Sequence, residues 1–287
     1  MNHCIPFTKM HGLGNNYIYL DMITNTYTLP PYPQFAQRLA DQSRGIGSDG
    51  MILLLPSETA DIQMRIFNKD GSEAKNCGNG LRCVAKYAFD NQLVSAARFT
   101  IETLGGLVEA EVIVDENEVS EVTVDMGEPR LLRGQIPMQG NPTEQAIQAP
   151  IQLKGTDYQV TAVSMGNPHA IFFVEDIQET PIHTLGPLLA DGHELFPEGA
   201  NVGFVESINE QSFAYRVWER GSGITQACGT GACAAAVAAI VTERGSKDVP
   251  ITIHLAGGDL TIVWESKTNH ILMTGPAVTI CTGTFYL

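Results

Sequence analysis

Charge is scarce in this chain: only 17% of its 287 residues are charged, with 17 basic side chains against 32 acidic ones. The formal net charge of −15 excludes nucleic acid and anionic membrane surfaces as partners, because both would repel it. Long hydrophobic runs are missing too. The longest, Ala232 to Val241, is far short of the roughly 18 apolar residues that cross a bilayer, and reads as a buried helix. The opening stretch Met1 to Phe7 has no apolar segment of secretory type, so a cytoplasmic location with reduced thiols is expected. Six cysteines spread thinly, with no Cys-x-x-Cys pair, predict neither a disulfide scaffold nor a metal site. No lysine stands where a pyridoxal Schiff base would form, and no cofactor is expected.

What is abundant is apolar residues, at 44%, and glycine, at 28 residues. The first implies a globular protein, the second tight turns or backbone that approaches something closely. The chain also matches itself when slid by about half its length. Met64 to Ala88 lies over Tyr215 to Ala239 at a shift of 228 − 77 = 151 without gaps. Arg65 falls on Arg216, Cys77 on Cys228, Gly78 on Gly229, Gly80 on Gly231, Ala85 on Ala236 and Ala88 on Ala239. Ordinary residue frequencies predict only about one or two such identities. One further residue of shift aligns Gly14-Asn15 with Gly166-Asn167, Asp49 with Asn201, and Gly105-Gly106 with Gly257-Gly258.

A duplication of this kind predicts an α+β protein of two similar domains, residues 1–125 (completed by 276–287) and 126–275. Alternating runs at Gln63 to Phe67, Val108 to Val114, Val119 to Val124, Ala170 to Val174 and Leu260 to Trp264 read as strands of a largely antiparallel sheet. Each half has one helix with a distinctive start, after Cys77 and after Cys228. The second is apolar all round, so each sheet is expected to curl around a central helix, with the active site in the cleft between the domains.

The loops Cys77-Gly78-Asn79-Gly80 and Cys228-Gly229-Thr230-Gly231 place a cysteine just before a helix, where backbone N–H groups and the positive helix end attract an anion. The same field favours thiolate over thiol. Other readings exist. Gly229-x-Gly231-x-x-Ala234 fits a loose dinucleotide fingerprint, but the polar stretch Glu219 to Gln226 precedes it and Glu243 follows too soon to hold a ribose. A cysteine hydrolase using Cys77 or Cys228 with His169 leaves the other cysteine idle, and a binding module explains neither. Equivalent residues of duplicated halves would instead face one ligand from both sides. Inverting a carbon centre needs that: a base removes a proton from one face and an acid delivers another to the opposite face. Cys4, Cys83, Cys233 and Cys281 read as small buried hydrophobes.

At these residues the chain resembles the diaminopimelate epimerase family. The likeness runs through FTKMHGLGNNYIYLD at Phe7 to Asp21, FNKDGSEAKNCGNGLRC at Phe67 to Cys83, SMGNPHA at Ser164 to Ala170, GANVGF at Gly199 to Phe204 and ERGSGITQACGTGACA at Glu219 to Ala234. The resemblance implies a cofactor-independent enzyme that interconverts LL- and meso-diaminopimelate for lysine and peptidoglycan precursors. It implies Cys77 and Cys228 as the acid–base pair, and Gly78-Asn79 with Gly229-Thr230 as holders of the reacting carboxylate. Asn15, Asn68, Asn167, Asn201, Glu219 and Arg220 would read the distal amino-acid end, and His169 and Glu219 would tune the sulfurs. A homodimer and a cleft that closes on substrate are also implied. Another amino-acid racemase or isomerase of the same fold remains an alternative. Read locally, Asn15 and Asn167 are equally turn residues beside Gly14 and Pro168, and His169 alone reads as structural. Arg220 offers a forked donor suited to a carboxylate. Two positions depart from the family: many relatives carry Asp where this chain has Asn16, and Gln where it has Gly50.

Overall fold

The computed structural model describes residues 4–116 and 118–287; Met1 to His3, at the head of the N-terminal stretch read above, lie outside them. The chain divides into two compact units, Met1–Asp125 with Thr274–Leu287, and Met126–Met273.

In the first unit, strand Cys4–Gly12 forms a hairpin with Asn15–Asp21, Met10 opposite Tyr17. Asn15–Asp21 then runs parallel to Gly50–Leu55, with Ile18 beside Met51. Gly50–Leu55 pairs antiparallel with Ile62–Asn68, which lies parallel to Arg98–Thr103. An antiparallel meander through Gly106–Asp115 and Glu118–Asp125 follows. The last strand, Val278–Tyr286, returns to pair with Cys4–Gly12, Cys4 opposite Tyr286. Side chains alternate between the two faces of a strand. Ile18, Leu20, Met51 and Leu53 pack with Phe35, Ala36 and Leu39 of helix α1 (Tyr32–Ala40) on one face. Tyr17 and Tyr19 therefore point to the other face, which holds helix α2 (Gly78–Asp90). Leu81, Cys83, Val84, Ala85 and Ala88 of α2 are completely buried.

The second unit repeats the order. Thr156–Ser164 and Pro168–Val174 form the hairpin, Pro168–Val174 runs parallel to Asn201–Asn209 with His169 beside Asn201, and Ser212–Glu219 follows antiparallel. Ser212–Glu219 lies parallel to Ile251–Leu255, which pairs antiparallel with Gly258–Trp264. Helix α3 (Ile182–Ala190) packs its Ile182, Leu185 and Leu189 with Ala170, Phe172, Val202 and Phe204. Helix α4 (Gly229–Val241) touches all six of these strands and is buried from Gly231 to Ala239. Its run of alanines allows strands to approach on every side, and larger side chains there would overpack the core. Each sheet thus curls around one helix, as the apolar pattern of Gly231 to Val241 implies. The strands are mainly antiparallel, with two parallel joins per unit. All five runs read as strands fall within observed strands. The sequence reading named one helix per half; α1 and α3, offset by 182 − 32 = 150, are the second.

Candidate active site

Each of the two cysteine loops is built by a helix start. Cys77 is extended (φ −153°, ψ 108°) and acts as N-cap of α2, its sulfur accepting from Gly80 N–H at 3.4 Å. The polar group a helix start lacks is thus supplied by sulfur instead of the usual Ser, Thr, Asp or Asn. Asn15, the first residue after the tight turn Leu13-Gly14 (φ 55° and 89°), reaches the same loop. Cys77 Sγ donates to Asn15 Oδ1 at 3.7 Å, and Asn79 Nδ2 donates to the same oxygen at 3.4 Å. Asn15 Nδ2 is anchored on Asp49 Oδ2 at 3.0 Å. The Tyr17 hydroxyl donates to Asn68 Oδ1 at 3.4 Å, and Asn68 Nδ2 donates to Ser72 Oγ at 3.0 Å. Beneath the loop, the fully buried Arg82 donates to Asn79 Oδ1 at 2.9 Å and to Pro276 O at 3.2 Å. Asn15, Asn68, Cys77, Gly78 and Asn79 therefore come together in the first unit.

The second unit gathers its own set. Cys228 is extended (φ −125°, ψ 104°) at the start of α4, with Thr230 Oγ1 3.6 Å from its sulfur. Asn167 Nδ2 donates to Thr230 Oγ1 at 3.3 Å, and His169 Nε2 lies 3.1 Å from Asn167 Oδ1 and 3.2 Å from Thr230 Oγ1. Glu219 accepts from the Thr225 hydroxyl, and its carboxylate also meets Cys228. Burial first, and the Glu219 charge second, push the Cys228 thiol well above its ordinary pKa. Asn201 Oδ1 accepts from Arg220 N–H at 2.9 Å, and Arg220 Nη1 donates to Glu198 O at 2.7 Å. Part of the Arg220 guanidinium is thus engaged by backbone, which fixes its direction. Among the described residues, no three or more His, Cys, Asp or Glu side chains are grouped to hold a metal ion.

His169 is wholly enclosed, and its ring Nδ1 has no hydrogen-bond partner among the described residues. Burial, then the nearby Arg220 charge, lower its pKa from 6.5 to about 3. The unfolded chain therefore holds one more proton than the folded chain between those values. Stability conferred by the neutral ring is complete above pH 6.5 and is lost as pH falls toward 3, with a slope of up to about 1.4 kcal/mol per pH unit. Urea unfolding at pH 7 and pH 5 checks this: the native chain is expected to lose more stability over that interval than His169→Gln, and equal losses would contradict it.

The fourth residue of each loop has a simpler explanation than ligand approach. A Cβ on Gly231 would lie 2.3 Å from the Tyr215 hydroxyl, and one on Gly80 would lie 2.9 Å from Ile52 Cδ1. These glycines make room for a neighbouring side chain. The cysteine background also needs correcting. Cys83 and Cys233 are buried, and burial pushes the Cys83 thiol up to about 11. Cys281 is exposed and Cys4 only half-buried, so neither is the buried hydrophobe that the sequence suggests.

A profile of the family described as diaminopimelate epimerase matches residues 7–132 and 161–280. The diaminopimelate epimerase of Geobacillus kaustophilus (strain HTA426) is 58% identical over 280 residues, covering 98% of this chain and 96% of its own. The chain belongs to the diaminopimelate epimerase family. The diaminopimelate epimerase of Bacillus subtilis (strain 168) is 53% identical over 281 residues, covering 98% of both chains. Among solved structures, a Bacillus anthracis phenazine biosynthesis protein of the PhzF family shares the fold at a TM-score of 0.71 and 18% identity, covering 99% of both chains. A hydroxyproline epimerase from Agrobacterium vitis does so at 0.69 and 15%, covering 100% of this chain and 93% of that one.

Within this family, the two departures now have physical causes. Asn16 sits against Asp49, with its backbone N–H at 2.8 Å and its Nδ2 at 3.3 Å from Oδ2. An aspartate there would set two carboxylates side by side. Gly50 has no space for any side chain, since an added Cβ would lie 2.1 Å from Phe67 O and 2.9 Å from Tyr17 Cε1. Sequence reasoning missed Asp49, Tyr17, Arg82 and Tyr215 in these surroundings. The shift that lays Asp49 over Asn201 also lays Tyr17 over His169, and was a signal available for those two.

Proposed function

We propose that the chain converts LL-diaminopimelate to meso-diaminopimelate, without a cofactor, by a two-base mechanism in which Cys77 and Cys228 are the acid–base pair. The observation that carries this reading is the repetition, in both units, of a cysteine at the N-cap position of a helix, its sulfur beside Asn15 in one and Thr230 in the other. The substrate carboxylate would be held by N–H groups of Gly78 and Asn79 and of Gly229 and Thr230. There it stabilises the negative charge left when the α-proton departs. One sulfur, as thiolate, takes that proton; the other, as thiol, gives a proton to the opposite face of the same carbon. The first sulfur is then a thiol and the second a thiolate, and the roles exchange for the reverse reaction. The raised pKa of Cys228 suits it to the thiol role at neutral pH.

Asn15, Asn68, Asn167, Asn201, Glu219 and Arg220 form the set proposed to read the distal amino acid. Asparagine amides donate and accept, as an ammonium beside a carboxylate requires. Glu219 and His169 are proposed to tune the sulfurs, Glu219 beside Cys228 and His169 through Thr230, whose hydroxyl lies 3.6 Å from the Cys228 sulfur. A cytoplasmic homodimer acting in lysine and peptidoglycan precursor synthesis completes the proposal. No helix among the described residues is long and apolar enough to cross a membrane.

The test is incubation of the purified protein with LL-diaminopimelate and a panel of L-amino acids in deuterated water. Deuterium at one α-carbon of diaminopimelate, with meso product and no label in the panel, is the expected result. Label in another amino acid instead would favour a racemase of different substrate.

A further inference from the structure

The Tyr17 side chain belongs to no role assigned so far, yet it lies at the centre of the first unit's loop. Strand alternation turns it toward α2, and it is only 6% exposed. Its ring passes so close to the Gly50 backbone that a Cβ at residue 50 would stand 2.9 Å from Tyr17 Cε1. The ring thus occupies the place a side chain at position 50 would need. Its hydroxyl donates to Asn68 Oδ1 at 3.4 Å, and the Asn15 and Cys77 side chains lie close enough to act on it electrostatically. Asn15 meets that sulfur as well, at 3.7 Å. The shift that lays Asn15 over Asn167 lays Tyr17 over His169, since 17 + 152 = 169. In the second unit the equivalent ring is a histidine bonded to Asn167 and Thr230.

We propose that Tyr17 is a positioning residue for Cys77: its single O–H donates to Asn68 when the sulfur is a thiol and turns to the sulfur when it is a thiolate. The hydroxyl can serve this way because it stays protonated. Burial, and next the charges of Cys77 and Asp49, push the phenol well above its ordinary pKa. A hydrogen bond to a charged acceptor is stronger than one to a neutral amide, so the O–H follows the sulfur's charge. The O–H thus stabilises the proton-accepting form of Cys77 without becoming a proton donor itself. Gly50 is then the residue that lets the ring reach this place.

The role of Tyr17 in turnover rests on the epimerase reading, but the test reads the sulfur itself. The full-length protein, Y17F and N68A are alkylated with iodoacetamide across pH, and Cys77 modification is quantified by peptide mass mapping. Y17F is expected to raise the midpoint pH of Cys77 alkylation by about one unit, roughly tenfold slower reaction below the midpoint. N68A removes the competing acceptor and is expected to lower it. Cys83 and Cys233 are completely buried and stay unmodified in a folded chain, so the same digest reports folding. If Y17F exposes those thiols, the N68A arm decides alone. A native midpoint in folded Y17F, or an N68A midpoint that fails to fall, overturns the proposal. The expected alkylation shifts in a protein that exchanges no deuterium into diaminopimelate would leave Tyr17's effect on the sulfur standing and overturn the epimerase reading.

Discussion

Cys77→Ser and Cys228→Ser are each expected to lower conversion of LL- to meso-diaminopimelate by about two to four orders of magnitude, the range that positioned acid–base groups contribute. A serine hydroxyl is far too weak an acid to be ionised near neutral pH, so neither replacement can serve as the base, and as an acid it delivers its proton reluctantly. Folding should be spared. Serine is smaller than cysteine and is among the preferred N-cap residues, and Cys77 already caps α2 through its sulfur. A thermal midpoint within a few degrees of the native value, beside near-complete loss of inversion, is the result that supports the two-base scheme. Substantial inversion by either variant would sink it, because the remaining cysteine would then be handling both faces of the carbon.

Gly50→Gln is expected to destabilise the first unit by about 3 kcal/mol or more, although it would restore the residue many relatives carry. The nearest obstacle to a Cβ is Phe67 O at 2.1 Å, with Asn68 Cα at 2.9 Å. Both belong to the backbone of a strand paired with Gly50 itself, which no side-chain rotation can move aside. The third obstacle, the Tyr17 ring, is tied by its hydroxyl to Asn68. Urea unfolding measures the effect, and a variant as stable as the native chain would show that the strand pair yields more easily than its geometry implies.

The parts of this protein that were legible in the sequence are those with local or repeated signals. The loops at Cys77 and Cys228 announce themselves by their match, and the alanine run after Gly231 announces a helix enclosed on all sides. Helices α1 and α3 were hidden by their own composition. Pro30, Pro31 and Pro33 around the start of α1 look like a loop, although proline in a first helical turn is well tolerated, and α3 contains Gly186 and Pro187. Long-range pairings were the other blind spot. Asp49 meets Asn15 across 34 residues and Tyr17 meets Asn68 across 51, contacts that exist only once parallel and antiparallel strands have aligned. The reason for Gly50 was equally invisible, because the atoms that exclude a side chain come from Phe67 and Tyr17.

The return of strand Val278–Tyr286 to pair with Cys4–Gly12 has a consequence for how the molecule is born. Cys4 and its partner Tyr286 are separated by 286 − 4 = 282 residues, nearly the whole chain. During synthesis the unit Met126–Met273 has all its strands before the ribosome has made the final strand of the other. The half translated first is therefore the last to close. Until strand Val278–Tyr286 is made, strand Cys4–Gly12 waits with an unpaired edge, the kind of edge that nascent chains shield to avoid aggregation.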